Sequence, residues 1–244
     1  MNTTANAAGT RGRLLEVACE LFAEKGYPST SISEITRLAG ANKASVNYHF
    51  GSKENLYQQA WRHAHEQLMA QVPPDGGIGP DRPAEERLRG RIRAGLQRAL
   101  VGDAIEFGIM RNEMANPTGL LRQVIDDAIR PIRQATQAIL RELLGPGATD
   151  LDIELCEVCV VAPWMHVTHH RQAEKHEGLA PVFREDMLDA MVDHFAAFAL
   201  AGIRHTRRRI EQSGRLRQGQ PVPSERIESR GGKRRPSGNS SKRK

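Results

Sequence analysis

Residues 31–53, SISEITRLAGANKASVNYHFGSK, constrain the fold most because they combine two helix starts and two helix ends within one short segment. Ser31, with a glutamate three residues later, has the pattern of a capping box, which satisfies free amide groups at a helix start. Gly40 ends that first helix, and Asn42 then caps a second. Gly51 ends the second helix by permitting a left-handed turn. The segment therefore predicts two short helices joined by a tight turn.

The second of these helices presents a polar face. Val46 and Phe50 are four residues apart and can share a buried side, while the polar residues fall largely on other sides: Ser45, Asn47, Tyr48 and His49. A short helix with hydrogen-bonding side-chain tips fits the major groove of DNA. The simpler alternative is an ordinary surface helix of a helical bundle.

Helical spacing of apolar residues continues through most of the chain. A first helix carries Leu14, Ala18 and Phe22, and a fourth begins after Ser52 and stops at Pro73. Strand-like alternation is hard to find, and there is no internal repeat. We expect an all-α chain, with an amino-terminal helix-turn-helix head of three to four helices, a larger helical domain and a disordered basic carboxy-terminal tail.

Breaker residues and composition divide the chain into four predicted segments. Residues 9–71 form the helix-turn-helix head, 72–83 form a linker or loop, 84–203 form the second domain, and 204–244 form the tail. Within the second domain a long amphipathic run, 120–144, contains Pro131, which predicts a kink or a break. Two apolar helices, 151–171 and 183–203, complete it.

The net charge of +6 is unevenly distributed. Residues 204–244 contain 14 Lys and Arg against 3 acidic residues, so residues 1–203 carry a net charge of −5. The high isoelectric point therefore describes the tail, and DNA binding has to be argued from the helices. The tail itself is either a nonspecific grip on nucleic acid phosphates or a solvated extension.

No stretch approaches the roughly 18 to 20 apolar residues that span a bilayer, and the opening residues lack an apolar signal-peptide core. We expect a cytoplasmic protein that does not contact the membrane. Three cysteines are an odd and sparse set, which suits reduced thiols better than a disulfide framework.

Cys156 and Cys159 lie three apart on a predicted helix, with His166, His169 and His170 nearby. The spacing allows a metal or redox site, but a lone pair in an apolar helix fits two small buried hydrophobes better. We expect no metal here. No nucleophile–base–orienter set and no glycine-rich phosphate loop are apparent, so we also expect no enzymatic activity.

The segment 14–57, LLEVACELFAEKGYPSTSISEITRLAGANKASVNYHFGSKENLY, resembles the amino-terminal DNA-binding domain of TetR-type transcriptional regulators. Several spaced elements agree, from the LFAEKGY end of the first helix to the YHFGSKENLY run. Further along, MRNEMANPTGLLRQVIDDAIRPIRQ resembles the carboxy-terminal domain of the CecR-like branch. Asn47 stands where many TetR-type proteins carry Tyr, which leaves the base preference open.

The resemblance implies a homodimeric, all-helical regulator, most simply a repressor, that binds a palindromic DNA operator. It also implies an unidentified small-molecule effector in the carboxy-terminal domain, no cofactor, and pairing of the last two helices between subunits. Two alternatives stay open: a metal-binding or enzymatic helical protein that uses the carboxy-terminal domain, and a DNA-binding protein controlled by a protein partner.

Candidate DNA contacts follow from the resemblance and from side-chain chemistry. Tyr48 and His49 resemble the family's phosphate-contacting pair, and amide and ammonium groups on the same helix suit base edges. Helix starts and hydroxyl groups nearby can bind phosphate. The full predicted set is Thr30, Ser31, Lys43, Ala44, Ser45, Asn47, Tyr48, His49 and Lys53.

Large apolar and polar residues in the second domain are candidates for an effector pocket between helices. The alternative for each of them is ordinary core packing. The predicted pocket residues are Phe107, Met110, Arg111, Met114, Trp164, Met165, His166 and His169.

Overall fold

A computed structural model describes residues 3–101, 105–178, 180 and 182–217. Across those residues every regular element is helical, which confirms the predicted all-α fold. The helices are α1 Thr3–Ser29, α2 Ile32–Leu38, α3 Lys43–Phe50, α4 Lys53–Gln71, α5 Ala84–Val101, α6 Ile105–Ala115, α7 Arg122–Leu144, α8 Asp150–Glu177 and α9 Leu188–Arg217, with a 3₁₀ turn at Glu185–Met187 before α9.

Side-chain caps hold the two short helices as predicted. The Ser31 hydroxyl accepts a hydrogen bond from the Glu34 amide at 3.1 Å, and the Asn42 side-chain oxygen accepts one from the Ser45 amide at 2.9 Å. The reciprocal half of the predicted capping box is replaced. The Glu34 carboxylate instead accepts from Lys25 Nζ of α1 at 2.6 Å, because an ammonium partner is stronger than a backbone amide.

Two helix-breaking residues, Gly26 and Pro131, lie inside helices of the structure. Gly26, with φ 75°, breaks the regularity of α1, but a further turn follows it. Pro131 lies inside α7, which continues on both sides of it, so the proline does not divide the helix. Val124 before it and Ile139 after it are both buried. Packing on both sides thus outweighs the lost backbone hydrogen bond.

The predicted start of the tail at residue 204 is too early. Helix α9 continues to Arg217, and residues just past 203 form ion pairs with other helices. Arg209 pairs with Asp152 of α8 at 3.0 Å, and Arg204 pairs with Glu85 of α5 at 3.5 Å. Charged residues therefore prolong the helix where their composition alone predicted disorder; residues 218–244 lie outside the described part.

One hydrophobic core lies inside the predicted head and extends beyond it. Its fully buried members include Phe22 of α1, Trp61 of α4 and Tyr57 of α4, but also Ile109 of α6 and Leu121 before α7. The head thus shares its core with helices that follow the predicted linker, residues 72–83. A second core is formed by residues of α5, α7, α8 and α9, among them Leu88, Ile92, Leu96, Leu140 and Val192.

A single carboxylate joins the head to the turn between α6 and α7. Glu113 accepts hydrogen bonds from the backbone amides of Thr118 and Gly119, both at 3.0 Å, and from the Thr118 hydroxyl. The Tyr57 hydroxyl of α4 donates to its other oxygen at 3.1 Å. Burial and the Glu113 charge raise the pKa of Tyr57, so this phenol remains a donor.

We expect Glu113→Ala to lower the free energy of unfolding by about 2–3 kcal/mol, because it leaves several donors unpaired at once. Urea unfolding followed by circular dichroism measures the change. The matched control is Glu66→Ala on the exposed side of α4, which should stay within about 0.5 kcal/mol of the unaltered protein. Equal effects of the two substitutions would contradict a joining role for Glu113.

Candidate DNA-binding face and ligand cavity

Helix α3 buries Val46 and Phe50 and turns its polar side outward. Tyr48 is 81% exposed, and Lys43, Ala44 and Asn47 are also exposed. His49 is half-buried and packs edge-on against the Tyr48 ring, with the ring centroids 4.9 Å apart. The predicted recognition face is therefore solvent-accessible and held at its orientation by the head core.

Two hydroxyl groups of the predicted set, those of Thr30 and Ser45, donate hydrogen bonds within the protein. Thr30 is buried, and its hydroxyl donates to the carbonyl oxygens of Gly26 at 2.8 Å and Leu21 at 3.2 Å. Ser45 donates to the Asn42 side chain at 3.0 Å. The buried Thr30 hydroxyl thus holds the α1–α2 corner, and the predicted phosphate contact of Thr30 stays a prediction.

Lys53 is also engaged by the head. Its ammonium donates to the Tyr27 carbonyl at 2.6 Å and lies 4.1 Å from the centre of the Tyr27 ring. Burial lowers the pKa of Lys53. Burial, with a hydrogen bond to Glu54, raises the pKa of Tyr27 to about 12, so that hydroxyl is protonated and donates to Glu54 at 2.8 Å. Lys53 therefore stabilises the start of α4 through its contacts with Tyr27, and a phosphate contact of Lys53 stays a prediction.

A cavity of about 520 Å³ opens between the head and the second domain. Its walls come from α4, α5, α6, α7 and α8. Most lining side chains are apolar, and they include Leu68, Met69, Phe107, Ile132, Trp164 and Met165. Gly95 shapes the cavity, because a Cβ at that position would lie 2.5 Å from the Trp164 indole. The volume falls within the about 300–1,000 Å³ that small-molecule sites usually occupy.

Charged groups lie at two places in the cavity wall. His65 Nδ1 and Glu106 Oε1 are 2.9 Å apart, and both side chains are only 9% exposed. Arg98 lies in the same wall. At the other place Arg133 makes two 3.1 Å hydrogen bonds to the Glu157 carboxylate. The cavity therefore combines an apolar body with a few fixed polar groups, as small-molecule sites do.

The structure brings three of the predicted pocket residues into this cavity: Phe107, Trp164 and Met165. The other five lie elsewhere. Met110 packs against the head core, Arg111 donates to the Ala23 carbonyl at 3.5 Å, and Met114 is 73% exposed. His166 and His169 are exposed on α8. Neighbouring positions on a helix face different directions, and only the packing of five helices selects those that meet.

Sequence reasoning missed the polar cavity residues His65, Arg98 and Glu106. One signal was available for His65, which lies between the apolar positions Trp61 and Leu68 on the buried side of α4. No comparable signal marks Arg98 and Glu106, whose partners are distant in sequence. Their positions follow from tertiary packing alone.

A second accessible feature follows α8 and α9. Leu151 and Leu155 of α8 are each more than half exposed, and Phe198 of α9 is 73% exposed. Small exposed residues flank Phe198 along α9, namely Ala190, Ala197, Ala201 and Gly202. We call this surface the α8–α9 face. Exposed apolar patches of this kind mark contact surfaces, and small residues permit close helix approach.

Cys156 and Cys159 line a shallow groove in the α8–α9 face. Burial raises the pKa of Cys156, which makes it a less reactive thiol. Among the residues that the structure describes, no group of three or more His, Cys, Asp or Glu side chains has the geometry of a metal site. In that same part of the chain no helix is long and apolar enough to cross a membrane.

Two family models match the chain. The model for bacterial regulatory proteins of the tetR family matches residues 14–60, and the model for the carboxy-terminal domain of the HTH-type transcriptional dual regulator CecR matches residues 84–203. The HTH-type transcriptional regulator AcrR of Shigella flexneri is 37% identical over 59 residues, which are 24% of this chain and 27% of AcrR. The biofilm operon icaADBC negative transcriptional regulator IcaR of Staphylococcus aureus (strain Newman) is 38% identical over 50 residues, 20% of this chain and 27% of IcaR. The matched stretch thus spans about a quarter of each of these relatives.

Solved structures share the fold over most of the chain. AibR, in complex with isovaleryl coenzyme A and operator DNA, has a TM-score of 0.57 and 22% identity, covering 75% of this chain and 96% of that one. The fatty acid degradation regulator FadR from Bacillus halodurans has a TM-score of 0.56 and 17% identity, covering 80% and 96%. At these identities the likeness establishes the fold alone.

Gly95→Ala should displace the Trp164 indole and reshape the cavity wall. We expect it to lower the free energy of unfolding by about 1–3 kcal/mol, because a rigid ring cannot yield as a flexible side-chain end can. Urea unfolding measures the stability, and tryptophan fluorescence reports the indole environment. As control, Gly12→Ala in α1 meets nothing within 4 Å and should stabilise by about 0.5–1 kcal/mol. If Gly95→Ala changed neither the free energy of unfolding nor the tryptophan fluorescence, the indole would not pack against Gly95.

Proposed function

The chain belongs to the TetR family of bacterial regulatory proteins, with a carboxy-terminal domain of the CecR type, and we propose that it is a ligand-responsive transcriptional repressor that binds DNA as a homodimer. The observation that carries the proposal is the exposed polar face of α3, held outward by two buried residues on a capped helix. AibR supports it, since a protein of this fold was solved with both operator DNA and a small molecule.

In this proposal α3 enters the major groove. Lys43 and Asn47 read base edges, with Lys suited to guanine and Asn to adenine, while Tyr48 and His49 contact phosphate. Ser31 and its neighbouring amides at the start of α2 supply further phosphate contacts. These side chains are accessible or half-accessible, whereas Thr30 acts from inside the head.

A second copy of the chain covers the α8–α9 face. The exposed Phe198 and Leu155 lie on adjacent helices with small residues beside them, which allows two such faces to pack as a four-helix arrangement. A two-fold axis through this contact places two α3 helices at a fixed separation. Palindromic half-sites read in this way are about 34–36 Å apart, one turn of DNA.

The cavity is the effector site in this proposal. Helix α4 supplies His65, Leu68 and Met69 to its wall and Leu56 and Trp61 to the head core. A ligand that binds better when α4 is displaced therefore shifts both heads away from the operator spacing. A tenfold loss of operator affinity requires about 1.4 kcal/mol of differential binding, well within the range of known allosteric coupling.

The chemistry proposed is binding alone. The named relatives are regulators, in agreement with the expected absence of enzymatic activity. Action on the chromosome places the protein in the cytoplasm of a bacterial cell.

Asn47→Ala should weaken binding to the preferred DNA site by about 1–3 kcal/mol and relax the preference at one base position in each half-site. Selection of binding sites from random DNA, followed by gel-shift titration, measures both. Such an effect at a single position is expected because an amide reads a base edge and a methyl group does not.

Gln123→Ala on α7 is the matched control for loss of an exposed amide, and it should leave the preference unchanged. An unaltered preference with Asn47→Ala would remove Asn47 from the reading set. Absence of sequence-selective binding by the full chain at every salt concentration would overturn the proposed function.

Phe198→Glu should raise the dimer dissociation constant by at least about tenfold, because it places a charge in the centre of an apolar contact. Sedimentation equilibrium measures the subunit association, and operator affinity should fall with it. Met114→Glu is the control, since Met114 is equally exposed at 73% but lies away from α8 and α9. An unchanged dimer with Phe198→Glu would place the subunit contact elsewhere.

A further inference from the structure

We propose that the cavity selects an apolar monocarboxylic acid, whose carboxylate is held by Arg98 and whose hydrocarbon part lies against Trp164 and Phe107. The inference rests on the proposed function only in taking this cavity as the effector site. It adds the chemical class of the ligand, which follows from the charges in the wall.

Arg98 is a desolvated cation whose direct hydrogen-bond partner is a backbone carbonyl, with the Glu106 charge nearby. Its Nη1 donates to the Val72 carbonyl at 3.0 Å, and within the described residues this is the hydrogen bond recorded for its guanidinium. Burial lowers the pKa of Arg98, and the nearby charge of Glu106 opposes that shift. A desolvated guanidinium that faces a cavity with a carbonyl partner retains donors for a planar anion.

The positive charge of Arg133, in the same cavity wall, is balanced by carboxylates. It contacts both oxygens of Glu157 at 3.1 Å and one oxygen of Glu154 at 2.9 Å. Gln137 donates to Glu157 as well, at 2.7 Å. These bonds use Nε and Nη2 of Arg133 and balance its charge with two carboxylates, so an incoming anion gains more at Arg98.

Glu106 does not satisfy Arg98 by direct contact. Its carboxylate is paired with His65 Nδ1 at 2.9 Å, and the Trp61 ring stacks on the other side of His65 with centroids 5.0 Å apart. A cationic ligand at Glu106 would share this carboxylate with His65, whose Nδ1 contacts Oε1. A carboxylate ligand meets Arg98 without breaking that pair, so the wall favours an acid over an amine.

The remaining wall limits the ligand to one polar end. Leu68, Phe107, Ile132 and Trp164 give the cavity wall an apolar surface beside Arg98 and the Arg133–Glu157 pair, which line the same cavity. The hydroxyls of Thr136 and Thr168, which also line the cavity, donate to backbone carbonyls of their own helices. An extended hydrocarbon chain or a substituted ring fits such a surface, and each buried methylene adds about 0.8 kcal/mol.

The Val72 carbonyl that Arg98 contacts belongs to the residue that ends α4. His65 lies on α4 as well. A carboxylate at Arg98 therefore binds beside the last turns of the helix that carries the head. This position couples the acid to the orientation of α3.

Isothermal titration with three ten-carbon probes at one pH tests the charge preference: decanoate, 1-decanol and decylamine, each below its micelle concentration. Decanoate should bind at least about tenfold more tightly than the other two. Equal binding of the alcohol, tighter binding of the amine, or no binding of decanoate would each overturn the inference. This comparison uses the unaltered protein and does not depend on any variant folding.

Arg98→Met keeps the side-chain stem and removes the charge. It should lower the affinity for decanoate at least about tenfold and leave the affinity for 1-decanol unchanged. Arg93→Met on the same helix is the control, because Arg93 pairs with Asp189 on the exposed side and should alter neither affinity. Unchanged decanoate affinity with Arg98→Met would overturn the assignment of Arg98.

Gel shifts with the preferred operator separate the two levels of the proposal. Release of operator by decanoate, but not by decylamine, supports both. Operator binding that decanoate leaves untouched removes the acid as effector while the DNA-binding regulator stands. Failure to bind any DNA selectively, together with tight decanoate binding, overturns the proposed function and leaves the acid site in place.

Discussion

The Glu113 carboxylate fixes the relation between the head and the rest of the chain. It binds the α6–α7 turn through the amides of Thr118 and Gly119 and binds α4 through the Tyr57 hydroxyl. Asn112, one residue earlier, donates to the carbonyls of α1. These bonds hold α6 against both α1 and α4. Since residues of α4 and α6 also line the cavity, the head and the cavity wall move together.

Because α4 belongs to both the head core and the cavity wall, one helical bundle carries both the recognition face and the cavity. The predicted recognition face of α3 stays exposed because Val46 and Phe50 on the opposite side of the helix are buried. The cavity needs α4 to supply its wall, and α4 also carries the head core. In the proposed regulator, a ligand that altered the fit of α4 would act on α3 through packed side chains, which have discrete arrangements and transmit small shifts.

Some of the candidate site was predictable from local pattern and some was not. Phe107, Trp164 and Met165, three of the residues predicted for an effector pocket, line the cavity. His166 and His169, close by on the same helix, are exposed on α8, because a helix turns successive residues to different sides and sequence spacing does not say which side meets the neighbour. The charged residues of the wall went unpredicted for the same reason.

The sequence by itself determined the helices, their caps and the helix-turn-helix, because these depend on contacts between residues three or four positions apart, such as Asn42 with Ser45. Only the tertiary structure decided that Thr30 faces inward, that Lys53 braces Tyr27 and that Arg98 faces a cavity. Those outcomes depend on which helices meet, and burial of a polar group is set by partners far away along the chain.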